Sequence, residues 1–358
     1  MAGSFFAAVL QHKGVAAVFA SLYGDTHRDH LFRIMHRNLA GGIGSRPCSP
    51  THRRKVVVAK VEWGLRGVII PLITPFNEDF SIDFAGLAEL VDYYIEEIKV
   101  DGLVPCGTTG ESATLSHQEH ADTIRAVVQK TAGRVPVIAS TGSNSTKEAI
   151  ELTTLAAEIG ADATLQVCPY YNKPTQEGLF NHFAAVAKAA KIPVVLYNIP
   201  GRTSRNIDPV TISRLWREVP EVIGVKDASA DLHQTMQIYQ STDPATFQIY
   251  SGEDIMTLAV LCHGGAGAIT AVGHVVGREI RAMCDAVWQE RISEARRIHY
   301  QIMDVVDALF VETNPTPVKQ ALKWLGLPAG PLRPPLEPLT EKGQEVLRAA
   351  MIAAGLLA

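Results

Sequence analysis

The 358-residue chain is short of the features that mark several large classes. Its five cysteines, Cys48, Cys106, Cys168, Cys262 and Cys284, include no C-x-x-C pair. That spacing argues against a thiolate metal site or a disulfide framework and fits reduced thiols in a reducing compartment. No apolar run approaches the ~18 residues of a spanning helix, so no membrane partner is expected. Beyond residue 60 no basic run offers a face to nucleic acid, and the formal net charge is −4. The first strand-like run is followed by no G-x-G-x-x-G, which weakens an open dinucleotide-binding sheet. What remains is ordinary globular composition, 47% apolar and 20% charged, with a small molecule as the expected partner.

Residues 1–60 stand apart, with nine Lys or Arg against two acidic residues, Asp25 and Asp29. An Arg-bearing, acid-poor lead reads either as an organelle transit segment or as an extension translated from too early a start, with Val61 a candidate true start. The first reading places the protein in a plastid and the second in the cytoplasm. Both leave residues 1–60 outside the fold.

From residue 65 a strand-length apolar run alternates with a helix-spaced segment. The runs are Val68–Thr74, Gly102–Cys106, Val135–Ser140, Ala163–Cys168, Pro193–Tyr197, Val222–Val225, Phe247–Tyr250 and Ala266–Ala271. Between them, Phe84, Leu87, Leu90, Val91, Tyr94, Ile95 and Ile98 make one helical stripe. Ser116 with Glu119 and Ser145 with Glu148 read as capping boxes, and Gly160 closes the second helix. Eight such units predict an α/β fold, a (β/α)₈ barrel over residues 65–290. Helical stretches near 292–311, 316–325 and 341–355 predict a C-terminal helical region over 291–358.

A barrel of this kind carries its chemistry at the C-terminal strand ends. There the sequence places Gly107-Thr108-Thr109-Gly110, Pro169-Tyr170-Tyr171-Asn172, Tyr197-Asn198-Ile199-Pro200-Gly201-Arg202, Lys226, and Ser251-Gly252-Glu253-Asp254. Each has a plain reading as a tight loop, a strand closure or a solvated charge, and Lys226 could simply carry its ammonium to water. Together they fit one chemistry. Backbone N–H groups and threonine hydroxyls hold a small carboxylate, a desolvated lysine forms an imine beside it, and phenols pass protons. No organic cofactor or metal is expected. Metal-assisted aldol chemistry needs a ligand cluster, and His117 with His120 lacks a matching third ligand. A barrel used only for binding has no use for a buried amine beside a carboxylate site.

The motifs GTTGESATL, PYYNKPTQEGL, YNIPGRT, GVKDAS, SGED and NPTPVK together resemble the pyruvate-dependent Schiff-base aldolase and lyase family, from about Gly67 to the C-terminus. The resemblance implies a barrel with C-terminal helices, usually a homotetramer made of two tight dimers. Within the family it implies condensation of pyruvate with L-aspartate 4-semialdehyde on the way to lysine and diaminopimelate. The alternative is N-acetylneuraminate or 2-keto-3-deoxy-sugar-acid cleavage, against which Thr108, Thr109 and Arg202 argue. By resemblance Lys226 is the imine lysine and Tyr197 its proton-transferring tyrosine. Thr109 and a neighbouring subunit's Tyr171 complete a hydroxyl relay. Thr108 and Thr109 hold the pyruvate carboxylate, Arg202 the semialdehyde carboxylate, Gly252 is a further substrate-binding position, and Ile269 is a backbone position facing the lysine. Ser112, Ala113, His117, His120, Asn144, Glu148 and Tyr170 match a site for L-lysine as feedback inhibitor, although Glu148 could equally serve only as a helix cap. Cys168 and His274 stand where many relatives have Thr and Asn.

Overall fold

The computed structural model describes residues 63–358, so the extension expected over residues 1–60, and Val61, lie outside the described residues. Eight parallel strands, β1 Gly67–Pro71, β2 Gly102–Val104, β3 Ile138–Ser140, β4 Ala163–Val167, β5 Val194–Asn198, β6 Val222–Asp227, β7 Gln248–Ser251 and β8 Gly267–Ile269, run in the order β2-β1-β8-β7-β6-β5-β4-β3. The open seam between β2 and β3 is closed by a parallel bridge, Leu103 to Val137, and by the Leu103 amide donating to the Pro136 carbonyl at 3.0 Å. The result is a closed (β/α)₈ barrel.

The helices that follow the strands are α1 Phe84–Tyr93, α2 His117–Thr131, α3 Thr146–Ile159, α4 Gln176–Ala190, the single turn α5 Pro200–Thr203, α6 Pro209–Glu218, α7 Leu232–Ser241, α8 Thr257–Cys262 and α9 Gly273–Trp288. Beyond them lie α10 Ile292–Ala308, α11 Thr316–Trp324 and α12 Glu341–Ala353. The predicted stripe after Asp83 ends differently: α1 passes into a π turn over Tyr94–Ile98, and Phe84 is exposed at the helix start instead of joining the core. Ser116 and Glu119 form the expected capping box. At α3 only half of it forms, since the Ser145 hydroxyl accepts from the Glu148 amide while the Glu148 carboxylate turns to His117 and Ser143.

Strands are shorter than the apolar runs at most ends, but β6 extends past Val225 to take in Lys226 and Asp227. Its register holds a bulge: Val194 faces Val222, yet Val195 faces Gly224, so Ile223 is one residue extra. The packing shows what this does. Val222 and Val225 both lie in the outer cluster with Leu179, Phe183 and Leu215 of the helices, while Ile223 lies in the barrel interior with Ile69, Val195 and Tyr250. Strict alternation from Val222 would have sent Lys226 outward to the helices. With the bulge it pairs with Tyr197 on one side and Tyr250 on the other and faces inward.

Gly224 permits the bulge. A Cβ there would lie 2.5 Å from the carbonyl oxygen of Gln248 on β7. Gly224→Ala is therefore expected to cost about 2 kcal/mol in urea unfolding and to slow chemistry at Lys226 in the same protein. Unchanged stability and unchanged reactivity would show that the strand absorbs the methyl group and that the bulge does not aim the lysine.

Candidate active site

Lys226 is only 7% exposed, and its Nζ lies 4.3 Å from the ring centroid of Tyr197, its neighbour on β5. Its stem passes Gly252, the residue after β7, where a Cβ would sit 2.7 Å from Cγ and 2.9 Å from Cε. Gly252 thus leaves room for the lysine stem, and none of Lys226, Gly252 and Ile269 belongs to the wall of the cavity lined by Thr108, Tyr197 and Arg202. Ile269 is fully buried on β8, paired with Ile69.

The turn after β2 is closed by its own backbone: the amides of Gly110 and Ser112 donate to the Gly107 carbonyl and that of Glu111 to the Thr108 carbonyl. The amides of Thr108 and Thr109 are not among those bonds, and two successive amides on a tight turn suit an anion. The two threonines differ in setting. Thr108 helps to line a cavity of about 610 Å³ together with Tyr197, Arg202 and Asn314. Thr109 is buried outside that wall, its hydroxyl oxygen accepting from Asn314 Nδ2 at 3.0 Å. Arg202 comes from α5, exposed in the cavity, and its Nη2 donates to the Asn314 carbonyl at 3.2 Å.

The same cavity continues to the second predicted constellation. Ser112, Ala113, His117, His120, Glu148 and Tyr170 all contribute to its wall. The carboxylate of Glu148 takes hydrogen bonds from His117 Nε2 at 2.8 Å and from the Ser143 hydroxyl, and the Ser143 bond chiefly holds its pKa below the usual range. His120 is buried, donates Nε2 to the Ser140 carbonyl at 2.9 Å, and burial lowers its pKa, which keeps it neutral at pH 7. Asn144 is not part of the wall, and its carbonyl accepts from Asn172. Sequence reasoning did not single out Ser143.

Tyr171 joins none of this within its own chain. It is 89% exposed on left-handed backbone, φ 70°. The two departures from the family pattern are accommodated in the core. His274 Nε2 accepts from the Ile73 amide at 3.2 Å with its pKa pushed down to about 3 by burial, and burial pushes the Cys168 thiol up to about 12. Among the described residues no group of His, Cys, Asp and Glu is arranged to hold a metal, and no helix is long and apolar enough to cross a membrane.

A buried amine aimed into a (β/α)₈ barrel, with a tyrosine ring against it and an anion-suited turn at the same mouth, defines a barrel enzyme of the imine-forming lyase class. The comparisons make this particular. The model of the Dihydrodipicolinate synthetase family matches residues 64–354, and the chain belongs to that family. It is 46% identical over 292 residues to 4-hydroxy-tetrahydrodipicolinate synthase of Nitratidesulfovibrio vulgaris, covering 82% of this chain and 99% of the relative. The crystal structure of the synthase from Cyanidioschyzon merolae with lysine bound is similar at a TM-score of 0.80 and 44% identity, covering 82% of this chain and 99% of that one. A monomeric dihydrodipicolinate synthase variant is similar at a TM-score of 0.79 and 37% identity, over 82% and 98% of the two chains.

Two carboxyls follow Gly252. Asp254 is buried and its pKa is pushed up to about 6 by desolvation, against the hydrogen bond from Thr270 and the charge of Lys226; Glu253 is raised in the same direction by its own partial burial. The folded-state pKa of Asp254 lies above the unfolded value of about 4, so the native state holds this proton more tightly. Stability linked to Asp254 is greatest below about pH 4 and falls as pH rises to about 6. Asp254→Asn should abolish that fall, at most about 3 kcal/mol, when urea unfolding is followed at about pH 4 and about pH 7. The same pH slope in both proteins would place the titration elsewhere.

Proposed function

We infer that this chain condenses pyruvate with L-aspartate 4-semialdehyde to give 4-hydroxy-tetrahydrodipicolinate, the lyase step that commits carbon to lysine and diaminopimelate. The observation that carries the reading is Lys226, turned into the barrel mouth beneath Tyr197 in a chain that spans nearly the whole of a synthase relative. The Lys226 amine adds to C2 of pyruvate and water leaves, forming an imine. This acts as an electron sink, and loss of a proton from C3 gives an enamine. C3 then attacks the aldehyde carbon. The amino group of the second substrate displaces Lys226 from C2, closing the ring and freeing the enzyme.

The geometry supports particular roles. Tyr197 is placed to pass protons at the imine. Thr108, on the cavity wall with Tyr197, suits the relay hydroxyl better than Thr109, and Thr109 suits the pyruvate carboxylate. Arg202 offers a planar fork to the semialdehyde carboxylate. The exposed Tyr171, whose left-handed backbone costs on the order of 1 kcal/mol, fits a side chain delivered to a neighbouring subunit's relay, within a homotetramer built from two tight dimers. Four described cysteines, Cys106, Cys168, Cys262 and Cys284, are free thiols, which fits the cytoplasm or a plastid.

Borohydride added with pyruvate is expected to fix a reduced pyruvyl group on the peptide containing Lys226, read by peptide mass mapping. Label on another lysine, or label that survives Lys226→Ala, would sink the mechanism.

The part of the cavity wall that Glu148 and His117 form supports feedback inhibition by L-lysine. Glu148 offers a carboxylate to an ammonium, and Ser112 and the His117 ring offer further polar groups. Tyr170 is one peptide from Tyr171, so a ligand there can disturb the relay. Partial inhibition in the sub-millimolar to millimolar range is expected, for a coupling of about 1 to 3 kcal/mol. Glu148→Ala should relieve it and leave uninhibited turnover nearly intact. Activity unchanged at tens of millimolar lysine, roughly ten times the upper end of that range, would reduce the constellation to packing.

A further inference from the structure

The C-terminal segment grips the GTTGE turn at three points, one of them the Arg333 amide, which donates to Glu111 Oε2 at 2.9 Å. Lys319 of α11 forms an ion pair with Glu111 at 2.5 Å, both side chains almost wholly buried. Five residues earlier, in the link between α10 and α11, Asn314 is 6% exposed and donates Nδ2 to Thr109 Oγ1 at 3.0 Å. Its main-chain carbonyl accepts from Arg202 at 3.2 Å, and its Oδ1 is buried without a partner. The bond from Asn314 to Thr109 has a direction. An N–H delivered to Oγ1 occupies a lone pair of the Thr109 hydroxyl and leaves its proton free to be donated elsewhere.

We propose that Asn314 is a positioning residue for pyruvate: it fixes the Thr109 hydroxyl as a donor to the pyruvate carboxylate and ties this first-substrate group to Arg202, the ligand of the second. The proposal rests on the assignment of Thr109 to the pyruvate carboxylate. Asn314→Asp replaces the N–H with an acceptor, which draws the Thr109 proton toward itself and away from pyruvate. Asn314→Ala only releases the hydroxyl to rotate.

The test measures the pyruvate concentration for half-maximal imine formation by borohydride trapping on the intact enzyme, together with kcat and the pyruvate KM, for these variants and Thr109→Val. Thr109→Val and Asn314→Asp should each raise the half-maximal pyruvate concentration about tenfold or more, and Asn314→Ala about threefold, while kcat at saturating pyruvate falls less. The defect of Asn314→Asp should shrink as pH falls, because the protonated carboxyl can donate again; a merely structural role would move kcat and KM together at every pH. A change confined to Asn314→Asp is charge repulsion and overturns the proposal, as does a normal pyruvate response of Asn314→Ala beside a defective Thr109→Val. A normal response of Thr109→Val removes the assignment on which the proposal rests, and leaves Lys226 as the imine site untouched.

Discussion

The site depends on one close approach of two backbones. Gly224 passes Gln248 of the next strand at a distance that excludes a Cβ, and the extra residue beside it reverses the in-and-out order of β6. Val225 then packs against the helices and Lys226 enters the barrel. A second missing Cβ, at Gly252 just past the neighbouring strand, makes room for the lysine stem. Tyr197, Lys226 and Tyr250 consequently sit side by side on three adjacent strands. Tyr250 points its hydroxyl to the Leu65 carbonyl and accepts from Trp63, which fills the interior under the lysine. A buried amine on rigid strands is an arrangement that a loop lysine could not reproduce.

The cavity above the strands joins two sets of polar groups without a partition. Tyr197, Thr108 and Arg202 line it together with Glu148, His117 and His120. The residues of both sets lie on or after β2, β3 and β5, and the C-terminal region holds the first of these segments in place. Arg333 donates to Glu119, to the Thr114 carbonyl and to the Phe80 carbonyl, while its amide donates to Glu111. Glu119 is held at a pKa of about 2, chiefly by the Arg333 hydrogen bond. The C-terminal region therefore acts on the cavity through the GTTGE turn, with Lys319 of α11 and Asn314 of the link before it as the other two contacts.

The barrel was legible because each strand of a parallel sheet covered on both faces is a nearly continuous apolar run, and each helix shows its stripe. The candidate site residues were read from motifs at the strand ends, and Thr108, Tyr197, Arg202, His117 and Glu148 among them line one cavity. The bulge was not, since a glycine inside Val-Ile-Gly-Val shows close approach only when the neighbouring strand is placed against it. Local spacing also misled at Ser145 and Glu148: a capping box satisfies one carboxylate with one amide, and here His117 and Ser143, the former 31 residues away, compete for it and win. Asn314 lay in plain view in NPTPVK, but its partner Thr109 is 205 residues distant in sequence. Nothing short-range signals such a pair.

The bulged strand turns Lys226 inward, toward the carbonyl of a pyruvate proposed to lie against the turn after β2. The most direct measurement is a crystal structure of the protein soaked with pyruvate. The account predicts continuous density from Lys226 Nζ to C2 of the bound molecule, with its carboxylate against Thr109 and the turn amides. Pyruvate lying unlinked at the mouth, or joined to a different lysine while Lys226 faces the helices, would contradict it.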